Sequence, residues 1–294
     1  MIPIYENWCV QIDITNYCFL SCLYCSRYNR HLRKDQRQHM TLEQFRAALD
    51  SLAAWPTRIG VIGGEPLLHP EFEAFCGEIK KRFPREKMAL WSSGPKRYQE
   101  LKPLIDETFG FIAYNEHNEE QLRTCKHQPL TIAIREAVPD AELRRKLVDD
   151  CWVQRTWCAT VNHFGAYFCE VAAAQDVLLN EGKNAWPVTP DWWVKTPEEF
   201  ERQVRSFCDN CGMAIPMERE LIQNEVEKFS PDLLKVFREK GLRKVDEGQV
   251  EVFDRQVSRE EILVTIGDWK PGNYRGDLHD DEAAPEERGF TGQI

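Results

Sequence analysis

The chain has 294 residues, enough for one large domain and a smaller one, and its 42% hydrophobic content supports a sizeable core. A net charge of −10 argues against nucleic acid as the main partner, because phosphate binding requires a basic surface. No apolar run approaches about 18 residues, so no membrane-spanning helix is expected. The amino terminus lacks signal-peptide features, and eleven cysteines without an export signal favour metal or redox chemistry in the reducing cytoplasm.

Strand-like and helix-like segments alternate over the first half of the chain. Strands are predicted at residues 10–14, 59–62, 88–91, 111–114 and 130–134. Helices are predicted between and after them, following Thr41, Pro70, Gly94, Asn118 and Asp140. This alternation predicts right-handed crossovers and a parallel sheet, and five strands without a sixth predict an α/β fold of the partial (β/α) barrel type. Ligands of such sheets bind at the carboxyl ends of the strands.

The pattern changes after residue 150. A hairpin is predicted around Phe164-Gly165, one helix after the capping box at Thr196, and another helix from Ser230 to a stop at Gly241. The sequence therefore predicts four parts. They are a core at residues 1–150, a small α+β subdomain at 151–215, a helical or extended segment at 216–270 and an acidic, disordered tail at 271–294.

Cys18, Cys22 and Cys25 follow the first predicted strand at a C-x3-C-x2-C spacing. A compact loop can turn all three thiolates toward one point, and soft thiolates select zinc or iron–sulfur clusters. Because three ligands leave one position open, the spacing favours a reactive 4Fe–4S cluster. A structural zinc knuckle is the alternative.

A second motif, Gly63-Gly64-Glu65-Pro66, follows the second predicted strand. Glycines at a strand end let the backbone approach a ligand closely, and a carboxylate beside them can accept hydrogen bonds from a ligand ammonium. Alone, the motif also fits a plain turn. Together with the cysteine loop and its aromatic Tyr24, it resembles the signature of the radical S-adenosylmethionine (SAM) superfamily.

The resemblance implies how the cofactors are held. SAM would bind the open iron of the first cluster and be cleaved to a 5′-deoxyadenosyl radical. Tyr24 would pack near the adenine and Glu65 would hold the methionine amino group. Side chains at the ends of the third and fourth predicted strands would reach the ribose or carboxylate: Ser92, Ser93 and Asn115. The resemblance also implies a small-molecule substrate and an electron donor such as flavodoxin or ferredoxin.

Four further cysteines form a second candidate metal site: Cys151, Cys169, Cys208 and Cys211. Four thiolates complete the coordination of a 4Fe–4S cluster or a zinc ion. The arrangement resembles a twitch (SPASM-like) subdomain, which carries an auxiliary 4Fe–4S cluster, although the hairpin spacing is matched only approximately. Cys158 is the alternative to Cys151 as the first ligand.

Residues 8–215 are similar to the twitch-bearing aminocyclitol dehydrogenases, such as 2-deoxy-scyllo-inosamine dehydrogenase. This resemblance implies oxidation of a sugar- or aminocyclitol-like molecule, with the auxiliary cluster accepting an electron. Arg135 stands where that family has a substrate-handling arginine, so it is the predicted catalytic residue, and a surface ion pair is the alternative.

Other functions remain open from the sequence. One alternative is an epimerase, in which a cysteine returns a hydrogen atom to the substrate, and Cys76, Cys125 and Cys158 are the candidates. A peptide-modifying maturase and a non-enzymatic protein with two zinc sites are the others.

Overall fold

A six-stranded sheet forms the centre of the computed structural model, which describes residues 1–114, 125–156, 159–245 and 249–265. The strand order is β4-β3-β2-β1-β6-β7. The first five strands of that order are parallel, and β7 returns antiparallel to β6 through a hairpin. The strands are β1 (Cys9–Asp13), β2 (Arg58–Ile62), β3 (Met88–Ser92), β4 (Phe111–Tyr114), β6 (Thr160–Asn162) and β7 (Gly165–Tyr167). This mixed α/β arrangement confirms the predicted fold class.

Helices connect the parallel strands and cover the sheet. Thr41 and Gln44 form the predicted capping box at the first helix. Phe45 and Phe75 stack with ring centroids 4.1 Å apart, which packs the first helix against the second. The three helices between the first four strands are α1 (Leu42–Ser51), α2 (Phe72–Arg82) and α3 (Arg97–Thr108).

The predicted fifth strand at residues 130–134 is wrong. Leu130 and Ile132 are fully buried, but their segment turns into the short helix α4 (Ile134–Ala137). The Leu130 carbonyl accepts from the Gly212 amide, and the Thr131 carbonyl accepts from Ser230. A short apolar run predicts burial rather than strand pairing, and here the burial is against later parts of the chain. The place beside β1 is taken by β6.

Helix α7 (Glu170–Asn180) was missed by the sequence pattern. Its residues from Glu170 to Leu178 are all buried, so it lacks the polar face that marks an amphipathic helix. Two of the helices on either side of it begin at the predicted caps, one at Asp140 and one at the capping box of Thr196 with Glu199. They are α5 (Ala141–Asp149), α6 (Trp152–Thr156) and α8 (Pro197–Phe207).

The segment after residue 215, the carboxyl-terminal extension, packs against the cysteine loop. The Leu23 amide donates to the Ile222 carbonyl at 3.2 Å, and the buried His31 lies 3.0 Å from the Glu227 carboxylate. Ser230 precedes the predicted helix, and Gly241 follows it with a φ of 59°. The extension elements are β8 (Glu220–Leu221), which pairs with β5 (Lys126–His127), then β9 (Glu227–Phe229), α9 (Pro231–Glu239), β10 (Val250–Val252) and α10 (Arg259–Thr265).

Some predictions lie outside the described residues. They are Asn115, the helix after Asn118, Cys158 and the acidic tail 271–294. The division of the chain at residues 150, 215 and 270 stays a prediction. Across the described ranges, every helix is too short or too polar to cross a lipid bilayer.

Candidate functional site

The first cysteine loop lies at the carboxyl end of the parallel sheet. Cys18, Cys22 and Cys25 follow β1 and line one cavity of about 200 Å³. Burial raises the pKa of the Cys18 thiol to about 12, and it raises the pKa values of the other two thiols as well. Buried thiolates at such a position need a cationic partner, so the three side chains suit a bound metal cluster.

Gly63 and Gly64 join the end of β2 to the start of the cysteine loop. The Gly64 amide donates to the Thr15 carbonyl at 2.6 Å, and the next amide donates to the Tyr17 carbonyl at 2.8 Å. A Cβ atom on Gly64 would lie 2.3 Å from the Tyr17 carbonyl oxygen, and one on Gly63 would lie 2.4 Å from that of Thr15. Glycine is therefore required for this backbone contact, and both glycines also line the cavity.

Glu65 ties the end of β2 to the end of β3. Its carboxylate is fully buried and accepts hydrogen bonds from the Leu67 amide, from the Ser92 hydroxyl at 2.9 Å and from the Ser93 amide at 2.8 Å and hydroxyl at 2.5 Å. Ser92 and Ser93 line the cavity, whereas Glu65 and Pro66 stand behind its surface. The carboxylate thus orients the serine pair, and its predicted contact with the SAM amino group stays a prediction.

Glu65→Ala is expected to lower the free energy of unfolding by about 2–4 kcal/mol, because several buried donors lose their acceptor. Urea unfolding of the full chain measures this change. Ser92→Ala, which removes only one of the donors, should cost less. Equal stability of Glu65→Ala and the wild type would show that the carboxylate does not hold this strand junction.

The four cysteines of the second set line another cavity. One precedes α6, one precedes α7, and the C-x2-C pair follows α8: Cys151, Cys169, Cys208 and Cys211. The walls between them are largely apolar, with Val148, Phe168 and Phe207 among the lining residues. Burial first, and then the neighbouring Cys169, raises the pKa of Cys151 to about 12. The folded chain thus places the four predicted auxiliary ligands around one largely apolar cavity.

The spacing of the cysteines bears on what they could bind. The ten described cysteines are all free. Within the described ranges, no three histidine, cysteine, aspartate or glutamate side chains are arranged to hold one metal ion. In a 4Fe–4S cluster each cysteine binds a different iron, so the ligands surround a wider centre than those of zinc. For both sets the 4Fe–4S cluster stays the prediction, with a zinc ion as the alternative.

The two cysteine-lined cavities share a wall. Val153 and Met213 line both of them. At two places, consecutive residues line different cavities. Cys151 lines the second cavity and Trp152 the first, and likewise Cys169 lines the second cavity and Glu170 the first. This adjacency could not be predicted from local sequence patterns, because it depends on how α6 and α7 pack.

The first of these sites lies in the part of the chain that matches a known family. Residues 12–122, which hold the three-cysteine loop and the Gly-Gly-Glu-Pro motif, match the Radical SAM superfamily. This protein is a radical SAM enzyme. The family implies a 4Fe–4S cluster and the cleavage of SAM. That the first cysteine loop holds this cluster stays a prediction. The sequence matches none of the curated proteins.

Solved structures resemble this radical SAM enzyme at low identity. BtrN in an open conformation has a TM-score of 0.42 and 15% identity, over 69% of this chain and 86% of BtrN. BtrN in complex with AdoMet and 2-DOIA has a TM-score of 0.40 and 17% identity, over 70% of this chain and 92% of that one. HydG, a maturase of the [FeFe]-hydrogenase, has a TM-score of 0.29 and 15% identity, over 90% of this chain and 64% of HydG.

Tyr24 does not line the SAM cavity in this structure. Its ring is buried, and its hydroxyl donates to Glu220 at 3.0 Å while accepting from the Lys228 amide at 2.9 Å. The residue adopts a φ of 51°, which turns its side chain out of the loop toward the extension. Here Tyr24 holds the first cysteine loop against the extension, and its predicted packing near the adenine stays a prediction.

Arg135 also lies away from the cavity of the three cysteines. Its guanidinium donates to the Asn210 side chain, which sits between Cys208 and Cys211, and the residue is 36% exposed. The wrong assignment of residues 130–134 to a strand explains the difference, because Arg135 then appeared to follow a strand end. Its catalytic role stays a prediction that this geometry does not support.

Several cavity residues escaped the sequence analysis. Gln11 lies within β1, Trp91 within β3, and Arg27 just after the third cysteine, and all three line the radical SAM cavity together with Trp152 and Glu170. Gln11 could have been found from the sequence, because a polar residue within an otherwise buried strand indicates a binding site. Trp152 and Glu170 could not be found without knowing the packing of their helices.

Proposed function

We propose that this radical SAM enzyme is a dehydrogenase of a sugar- or aminocyclitol-like small molecule, and that an auxiliary 4Fe–4S cluster accepts one of the two electrons removed. The observation that carries the proposal is the shared wall between the two cysteine-lined cavities. A flavodoxin or ferredoxin is the expected donor of the electron that starts the reaction.

Cys18, Cys22 and Cys25 would hold the first cluster, and Cys151, Cys169, Cys208 and Cys211 would hold the second. When bound, SAM and the first cluster supply a radical that abstracts hydrogen, and the second cluster supplies a nearby place for an electron. An alcohol that loses a hydrogen atom, a proton and an electron becomes a ketone. The residues of this chain position the substrate between the two sites and exclude water from them.

Met213 borders both sites. Its side chain is 5% exposed and lines both cavities, and its amide donates to the Cys211 sulfur at 3.4 Å. Together with Val153 it belongs to the wall that the two cavities share. An electron leaving a substrate in the first cavity would reach the second across this wall.

The epimerase alternative has less support among the described residues. It requires a cysteine thiol in the substrate cavity, apart from the cluster ligands. Cys9 and Cys76 are fully buried elsewhere, and burial raises the pKa of Cys76 to about 12. Cys125 is near enough to Cys22 to raise the pKa of that thiol, but it does not line the cavity.

The double variant Cys208→Ala, Cys211→Ala tests the proposal. Incubated anaerobically with SAM, a reductant and 2-deoxy-scyllo-inosamine as the probe, it should still form 5′-deoxyadenosine but release no ketone. Abstraction requires only the first site, whereas the second electron requires an acceptor. Cys76→Ala is the matched control, since Cys76 lines neither cavity, and it should keep both activities.

Deuterium oxide separates the two reaction types. A dehydrogenase product gains no carbon-bound deuterium from solvent in the abstraction step. Solvent deuterium at an inverted carbon, with no ketone formed by the wild type, would refute the dehydrogenase proposal and direct attention to Cys125 and to Cys158, which lies outside the described residues.

A further inference from the structure

A buried cluster of polar side chains forms the floor of the first cavity. Arg27 is its centre, with Gln11 and Glu170 beside it and Asp13 behind. The Arg27 Nη2 atom lies 2.6 Å from Gln11 Oε1 and 2.9 Å from Glu170 Oε2, and its Nε atom lies 3.6 Å from Asp13. Arg27 is 5% exposed, Gln11 1% and Glu170 6%. All three line the cavity, whereas Asp13 does not.

Two Arg27 nitrogens are buried without a hydrogen bond, and of these Nε has only the ion pair with Asp13. The Arg27 Nη1 atom is buried and makes no hydrogen bond. An unsatisfied buried donor on a charged group is costly, and a guanidinium offers its donors in a fixed plane. Arg27 and Glu170 both border the cavity. A ligand oxygen that reaches the buried Nη1 would give it the acceptor it lacks, while Glu170 would accept a hydrogen bond from the same ligand.

The net charge of this polar group of side chains restricts which ligands can bind. One guanidinium faces two carboxylates, so with all groups ionised the net charge is −1. Burial raises the pKa of Asp13 to about 6, and even with that carboxyl protonated the cluster carries no excess positive charge. A carboxylate or phosphate ligand would therefore be repelled by Glu170 without a free cation to compensate.

The remaining walls suit the carbon face of a ring. Trp91 and Trp152 border the same cavity, and aromatic faces pack against C–H groups. A Cβ atom on Gly60 would lie 2.3 Å from Cζ3 of Trp91, so the glycine on β2 makes room for the indole.

We propose that Arg27, Gln11 and Glu170 bind two neighbouring hydroxyl or amino groups of a neutral or cationic polyhydroxylated ring, and that they exclude acidic sugars. The inference rests on the proposed function and names the residues that select its substrate. Arg27 acts here as a binding residue through Nη1, and Glu170 sets the charge preference.

Binding measurements test the inference without requiring turnover. Full-length protein carrying its clusters and SAM is titrated by calorimetry with three probes: scyllo-inositol, 2-deoxy-scyllo-inosamine and glucuronate. We expect at least one of the first two to bind about tenfold or more tightly than glucuronate. Failure of both neutral and amino probes to bind the wild type, or equal binding of glucuronate, would overturn the inference.

Two conservative variants locate the effect. Arg27→Lys keeps the charge but removes the planar Nη1 donor, so affinity for the bound probe should fall about ten- to a hundredfold, the range of a charged hydrogen bond. Glu170→Gln removes a negative charge, so the ratio of the affinity for the bound probe to the affinity for glucuronate should fall. Unchanged probe affinity in Arg27→Lys would contradict the proposal, and a matching loss of SAM affinity would assign Arg27 to SAM instead.

Arg30 and Glu227 provide matched controls. They are also buried and lie 3.4 Å apart, but neither lines the cavity. Arg30→Lys and Glu227→Gln should leave probe affinity unchanged. Because ketone formation is not the readout, an intact binding preference together with absent oxidation would refute only the proposed reaction.

Discussion

Replacing Cys18, Cys22 and Cys25 together by alanine is expected to abolish SAM cleavage and to remove about half of the bound iron. The three side chains line one cavity beside Gly63 and Gly64, and the four cysteines of the other cavity are untouched by the change. Iron and sulfide analysis after anaerobic purification, with chromatography of 5′-deoxyadenosine, measures both effects.

The control for this variant uses the other described cysteines. Cys9→Ala, Cys76→Ala and Cys125→Ala, combined in one protein, change as many thiols but none that lines either cavity. This control should keep its iron and its SAM cleavage. Full iron content in the variant that lacks Cys18, Cys22 and Cys25 would refute a cluster at the first loop.

Gly64→Ala is expected to reduce SAM cleavage by tenfold or more, although glycine and alanine differ by one methyl group. The new Cβ would lie 2.3 Å from the Tyr17 carbonyl oxygen and 3.0 Å from Cys18 Cβ. Overpacking of this kind costs about 1–3 kcal/mol, and relief of the overlap must move the residue that carries the first cluster ligand.

A second glycine separates this effect from a general loss of stability. Gly77 lies within α2, and a Cβ there would meet nothing within 4 Å. Gly77→Ala should leave cleavage unchanged and stabilise the helix by about 1 kcal/mol. Normal cleavage by Gly64→Ala would show that the loop has more freedom than its contacts with Thr15 and Tyr17 indicate.

The sequence predicted best what depends on neighbours along the chain. The capping boxes of Thr41 and Thr196 are local, and both are present. The spacing of Cys18, Cys22 and Cys25 also confines the three side chains to one short loop. The Gly-Gly-Glu-Pro motif lies at a strand end, as predicted. The hydrogen bonds of Glu65 with Ser92 and Ser93 could not be predicted, because the two serines follow another strand.

Features that depend on distant parts of the chain could not be predicted in the same way. Residues 130–134 have the composition of a strand, yet their burial against the Gly212 and Ser230 segments decides their structure. The local sequence does not distinguish Arg27 from the other arginines, because Glu170 and Gln11 lie beside it only in the folded chain. The outward turn of Tyr24 likewise requires Glu220 and Lys228, which are remote in sequence.

The contact between Tyr24 and the carboxyl-terminal extension has a consequence for biosynthesis. Tyr24 and Glu220 are 196 positions apart, so the ribosome completes the sheet strands and both cysteine sets before it supplies the partner of that hydroxyl. Until Glu220 is translated, the Tyr24 hydroxyl lacks this partner. A cluster that enters the first cysteine loop before the extension folds would then be covered by it, whereas one that enters later must pass it.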